Sequence, residues 1–408
     1  MKINRVLLFF SFLTMIASCQ NAAHEKNTDA FFARQDSLFV RAYEKHDTAA
    51  YQNLLTEFKA RYHNLSASAQ KLYSFYFQNA YYNLCCTYAL TGNKLMALKY
   101  LKESIQSGYF DYSHLQSDKD LDLIRKEPEF RVLVEPLRNT GDYPFILKKA
   151  GKYNLDDNRN IPAFTYQSSD NPNLIILRKS FNLDSIAGSG DEISKIKNML
   201  HWIHNLIPHD GNHDNPVVKN AKSMVAECKM DHRGLNCRGL ATVLNECYLS
   251  MGIKSRFITC LPKDSLKRDM DCHVINMVYS KSMKKWLWID PTNEAYVMNE
   301  KGEMLGIEEV REQIISDQPL VINSDANWNN KSAIVLTDYI YRYMAKNLYM
   351  LECPVNSEYD SETIAPGKTI SYIRLLPLEY FKQLPDKEEG SRMIVYKTNN
   401  PKLFWQLP

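Results

Sequence analysis

The chain has 408 residues, with 50 Lys and Arg against 47 Asp and Glu and a formal net charge of +3. That near-neutral balance, with no basic run, lacks the electrostatic footprint of a nucleic-acid binder and excludes that class of partner. The length accommodates two or three domains, and no stretch is apolar and long enough to cross a bilayer as a helix.

Lys2 and Arg5 form a charged start, and Val6 to Ile16 is a short apolar run. Ile16-Ala17-Ser18-Cys19 resembles a bacterial lipobox. The resemblance implies a signal peptide over 1–18, acylation of Cys19 and a polar tether over 19–30. It also implies contact with a membrane through the lipid. Gln20, rather than Asp, follows the Cys, so the implied address is the outer membrane of a bacterial cell envelope, facing the periplasm or the exterior. The alternative is an ordinary signal peptide cut after Ser18, with Cys19 incidental.

Residues 31–140 read as helical. Tyr81, Leu84, Tyr88, Gly92, Ala97 and Leu101, with Asn93 in the turn, resemble a tetratricopeptide repeat. A second, degenerate unit is expected from Asp118 to Arg138. One repeat cannot stack alone, so neighbouring helices must share its core. The resemblance implies either a groove for a protein partner or a spacer. The tyrosines at 73, 81, 82 and 88 are expected to pack between helices. Asn139-Thr140-Gly141-Asp142-Tyr143-Pro144 marks a boundary, and 141–185 reads as a linker.

The next domain is expected over 186–330. Ile193, Ile196, Met199, Leu200 and Ile203 predict a helix over about 191–207. His201, His204, His209 and His213 cluster with Asp210 and Asp214 near its end. The spacing matches no metal motif, a polar helix end is the expected reading, and neither metal nor cofactor is assigned. After Cys237, an apolar face of Leu240, Ala241, Leu244, Tyr248 and Met251 predicts a helix that Gly252 stops. Asn236 is its expected N-cap. A thiol at a helix N-terminus faces free N–H groups and a positive dipole end, which favour the reactive thiolate.

Three strands are predicted next, at 255–260, 273–279 and 286–290, with a polar turn at 280–285. If the last two make a hairpin, the midpoint between His273 and Asp290 falls inside the turn. The two side chains are then near neighbours on paired strands. Cys237 at a helix start, His273 at a strand start and Asp290 before Pro291-Thr292 resemble the transglutaminase-like superfamily of papain-type cysteine enzymes. The resemblance implies Cys237 as nucleophile, His273 as general base and acid, and Asp290 as the residue that orients the imidazole.

A helix is expected at about 307–316 and another at 334–346. Strands near 348–353, 370–376 and 393–397 predict a small β-rich segment over 331–408, with no assigned chemistry. Beyond Cys19 and Cys237 seven cysteines remain, an odd number that rules out a complete disulfide framework. A Cys260–Cys272 bridge is an open alternative.

The fold class expected is therefore α+β: a tetratricopeptide-like helical bundle, a transglutaminase-like core and a β-rich C-terminal segment. The functional expectation is an acyl-transfer enzyme working through a thioester on a peptide or protein substrate. Hydrolysis is the leading form and amine transfer the alternative. A binding lipoprotein with a silent enzyme fold is the reading from another class.

Overall fold

The computed structural model describes residues 31, 34, 35, 37–263, 271–381 and 387–408. The expected signal peptide, Cys19 and the tether to residue 30 lie outside the described residues. The chain divides between Asp142 and Tyr143 into two units.

The first unit is helical. Its main elements are α1 (Thr48–His63), α2 (Phe75–Leu90) and α3 (Lys94–Gln106). Asp47 caps α1 by accepting the Ala50 N–H, and Asn93 caps α3 by accepting that of Met96. Gly92, at φ 84°, turns the chain between α2 and α3, a conformation that an L side chain resists. Tyr81, Leu84, Ala97 and Leu101 are buried in the unit's core. Tyr88 stacks on Tyr100 with centroids 5.5 Å apart, so the tyrosine-rich face is packing surface. Residues 118–138 differ from the expected second helix pair. They hold 3-10 turns at Lys119–Leu121 and Glu135–Leu137 and a short helix at Pro128–Val134. Pro128 opens that helix and Pro136 follows it, so no second long helix can run through.

The second unit is built on one seven-stranded mixed sheet. Its strands are β1 (Ser255–Leu261), β2 (His273–Ser280), β3 (Lys285–Ile289), β4 (Met350–Pro354), β5 (Ile370–Leu375), β6 (Lys387–Glu389) and β7 (Met393–Thr398). Their order is β6-β7-β5-β4-β1-β2-β3, antiparallel except where β5 runs parallel to β7. Period-two alternation gives each face its own helical layer. Val278, Leu287 and Ile289 join a core with α4 (Glu192–Leu206), α5 (Ala221–Met230) and α6 (Cys237–Ser250). Ile275, Met277, Trp286 and Trp288 join a second core with α7 (Ile307–Ile315) and residues 339–351.

Two expected boundaries are corrected. The presumed linker at 141–185 carries helices at Tyr143–Lys149 and Pro172–Ser180, whose Leu147, Leu174 and Leu177 are buried. The β-rich C-terminal segment expected at 331–408 supplies β4 through β7 to the same sheet as β1 to β3. Apolar runs in single strands reveal strand content, whereas pairing partners come only from the fold.

Arg238 ties these regions together. Its Nε donates to Glu362 at 2.7 Å and its Nη1 donates to Thr259 on β1 at 3.0 Å. The Tyr372 hydroxyl on β5 donates to the same Glu362 carboxylate at 2.7 Å. Burial alone would raise the Glu362 carboxyl, but the Arg238 guanidinium outweighs it and holds the group below the usual range. Glu362→Ala leaves a guanidinium without its counter-charge. It is expected to cost the second unit about 3–5 kcal/mol, read as a lower urea midpoint. An unchanged midpoint would mean that the C-terminal strands are not held to the helix through this pair.

Candidate active site

Cys237 is the first residue of α6 and half-buried. The Asn236 side chain caps the helix by accepting the N–H groups of Arg238 (3.1 Å) and Gly239 (3.2 Å). Asn215 in turn donates to that carbonyl oxygen at 2.7 Å and accepts the Asn236 N–H at 3.1 Å. Asn215 can approach because residue 239 is glycine: a Cβ there would stand 2.6 Å from its Oδ1. The Cys237 N–H has no acceptor among the described residues. The thiol packs beside Ala241, Phe257 and Val274, the last being the neighbour of His273.

His273 begins β2, opposite Cys260 on β1. It is 2% exposed, and Asp290 is fully buried. The His273 Nε2–H donates to Asp290 Oδ2 at 2.8 Å. Within the β2–β3 hairpin Asn276 stands opposite Ile289. Extended one residue, that register sets Asp290 opposite Ile275, so His273 and Asp290 are a diagonal pair rather than a directly opposed one. A two-residue offset preserves the face, so the hydrogen bond survives.

Asp290 accepts four further hydrogen bonds. Oδ1 takes the N–H groups of Thr292 (2.9 Å) and Asn293 (3.3 Å), and Oδ2 takes the Asn293 amide (2.9 Å) and the Tyr339 hydroxyl (2.6 Å). Tyr339 lies in a π-helical stretch, Thr337–Met344. Four residues on, Tyr343 sets its ring edge-to-face with His273, centroids 5.3 Å apart. A π-helical stretch inside a helix is a frequent mark of a functional site. The region expected to carry no chemistry thus supplies two groups that hold the His–Asp pair. The sequence signal for them was a helix with aromatics at 339 and 343, indistinguishable from ordinary core spacing.

The charges respond to this setting. Burial pushes the Cys237 thiol up, but hydrogen bonding and charge from His209 and His273 outweigh it and bring it down to about 6. Burial pushes the His273 imidazolium down, but Asp290 and then Cys237 raise it to about 10. Burial pushes Asp290 up, but His273, Tyr339 and Asn293 hold it below the usual carboxylate range. Between about pH 6 and 10 the site therefore holds a thiolate beside an imidazolium.

The four clustered histidines separate into different partnerships. His201 pairs with Glu294, and His204 contacts the Pro291 carbonyl (3.1 Å) and Asn327 Oδ1 (2.9 Å), both behind the Asp290 loop. His213 pairs with Asp210 at 2.6 Å. His209 acts on the thiol, lowering it together with His273, a role the sequence reading missed although Pro208 already separated it from the helix. Among the described residues, the group with metal-like proximity is Cys86, Asp118 and Asp120 in the first unit. Tyr82 and Tyr43 already donate to those two carboxylates. Cys260 and Cys272 are both free thiols, and the register sets His273, not Cys272, opposite Cys260.

Residues 179–291 match the transglutaminase-like superfamily, a span that includes Cys237, His273 and Asp290. A curated relative, a chloroplastic protein of Arabidopsis thaliana, is 35% identical over 71 residues, or 17% of this chain. The match spans 20% of that relative's length. Among solved structures, a "Putative Cysteine Protease" from Cytophaga hutchinsonii aligns over 40% of this chain and 49% of its own, at 18% identity and a TM-score of 0.22.

The charge state gives a direct expectation. A thiol whose value is lowered is charged above it, so iodoacetamide labelling of Cys237 should rise through about pH 6 and then level off. In His273→Ala the rise should move toward the ordinary thiol range near ~8.5. Labelling that follows an ordinary thiol profile in both proteins would remove the ion pair from the account.

Proposed function

We propose that this protein is a cysteine-dependent acyl-transfer enzyme acting on a peptide or protein through a thioester, in its leading form a peptidase or amidase. The observation that supports this most is a nucleophile beside an imidazole whose far nitrogen is fixed by a fully buried carboxylate.

In this reading the Cys237 thiolate attacks a carbonyl carbon. Asp290 holds Nε2 of His273, which leaves Nδ1 to handle the proton. The imidazolium protonates the departing amine, the thioester forms, and His273 then deprotonates the acceptor. Water as acceptor makes the enzyme a hydrolase, and a primary amine makes it a crosslinking transferase. The same three residues serve both. We further propose that Cys19 carries a lipid that anchors the chain to the cell envelope, and that the helical unit binds a protein partner.

The test is paired. Incubation with a mixed peptide library should release new termini, and hydroxylamine should trap the acyl group, with Cys237→Ala and His273→Ala each at least ~10³-fold slower. A fluorescent primary amine in parallel should remain free. Amine incorporation without cleavage would replace hydrolysis with transfer. No reaction of either kind, with Cys237→Ala retaining the biological role, would favour the binding lipoprotein.

A further inference from the structure

Four hydrogen bonds fix the backbone around His209. The Leu235 N–H donates to the Pro208 carbonyl at 3.2 Å, and the Asp210 N–H donates to the Leu235 carbonyl at 2.8 Å. Asn329 accepts the His209 N–H at 2.7 Å and donates to its carbonyl at 2.9 Å. The resulting bridge pairs His209 with Leu235, just before Asn236 and Cys237. Gly234 permits the approach: a Cβ there would meet the Pro208 carbonyl oxygen at 2.3 Å and the Asp210 Cβ at 2.6 Å. Trp328 meets the imidazole at a steep angle, centroids 6.4 Å apart.

This backbone fixation sets His209 beside the residues that lead into Cys237, where its hydrogen bonding and charge lower the thiol, and its ring is left incomplete. His209 Nδ1 is buried and has no hydrogen-bond partner among the described residues. A buried polar atom without a partner carries its full desolvation cost and calls for an explanation. Beside a nucleophile, the group that supplies the missing partner is an oxygen of the molecule being attacked.

We propose that His209 is a catalytic residue that donates a hydrogen bond to the carbonyl oxygen of the acyl group as Cys237 adds to it, completing an oxyanion site with the Cys237 N–H. The proposal rests on the acyl-transfer reading above. The thiolate electron pair forms the carbon–sulfur bond while the carbonyl π pair moves onto oxygen. That oxygen faces the unengaged Cys237 N–H and the His209 donor, both in place before reaction. When the pair returns, the carbon–nitrogen bond breaks and the amine leaves with the proton from His273. His209 ends the cycle with the proton it began with.

The experiment separates this role from simple tuning of the thiol. Two probes are used at alkaline pH, where wild type and variants all hold Cys237 as thiolate. One is p-nitrophenyl acetate, whose carbonyl must become an oxyanion. The other is iodoacetamide, whose displacement forms none. His209→Ala should slow the p-nitrophenolate burst by ~10²–10³-fold and leave alkylation within about threefold. His209→Gln, which keeps a donor, should retain the burst to within about tenfold. His209→Phe fills the space without a donor and decides the matter if the alanine variant does not fold. Equal losses with both probes would reduce His209 to a group acting on the thiol alone. No loss with either would remove it from the site. A burst that persists in Cys237→Ala would instead overturn the acyl-transfer reading, an outcome distinct from both.

Discussion

The Asp290 carboxylate is a charge taken wholly out of water, and the second unit is arranged around that fact. An isolated carboxylate in such a place would neutralise rather than stay charged. Here five hydrogen bonds and the His273 cation hold it ionised. The donors come from three parts of the local fold. The loop after β3 gives Thr292 and Asn293, the start of β2 gives His273, and the π-helical stretch gives Tyr339. Tyr339 is itself steadied by Trp288, whose indole N–H donates to its hydroxyl at 3.2 Å. The loop carrying these donors is braced from behind by His204 on the Pro291 carbonyl and by Asn323, which donates to the Glu294 carbonyl at 2.8 Å.

One consequence reaches the thiol. Asp290 keeps His273 charged, and His273 with His209 keeps Cys237 acidic. The other cysteines of the unit give the contrast. Burial raises the thiols of Cys247, Cys260 and Cys353, and none of these is drawn down to the neutral range. Among the described cysteines, a lowered thiol is thus a property of one position, set by two imidazoles that outweigh burial.

Much of this was legible in the sequence where local signals agree. Asn236 before an apolar helical face and Gly252 after it gave α6 and the place of Cys237. Polar residues between two apolar runs gave the β2–β3 hairpin, and with it a His–Asp pair, though a diagonal one, two residues from direct opposition. What local patterns could not carry was pairing between distant segments. Strands near 350, 372 and 395 were visible, but not that they extend the sheet of β1 to β3. Tyr339 and Tyr343 were not singled out within the expected helix at 334–346, because helical spacing of aromatics is the same for packing and for positioning. His209 was noticed only within a histidine cluster, since its placement depends on Asn329, distant in sequence, and on the approach of Pro208 and Asp210 to Gly234, which only the fold reveals. The lipid attachment proposed at Cys19 lies outside the described residues and rests on the sequence alone.

The central claim is a thiolate–imidazolium pair at rest, and the ultraviolet absorbance of the thiolate reads it without any substrate. Titrating wild type against Cys237→Ala isolates the signal of that one sulfur. The account predicts a difference that appears as pH rises through about 6 and then stays level through neutrality. A difference that appears only in the ordinary thiol range, near ~8.5, would contradict it. The buried Asp290–His273 pair would then hold the structure together without activating Cys237.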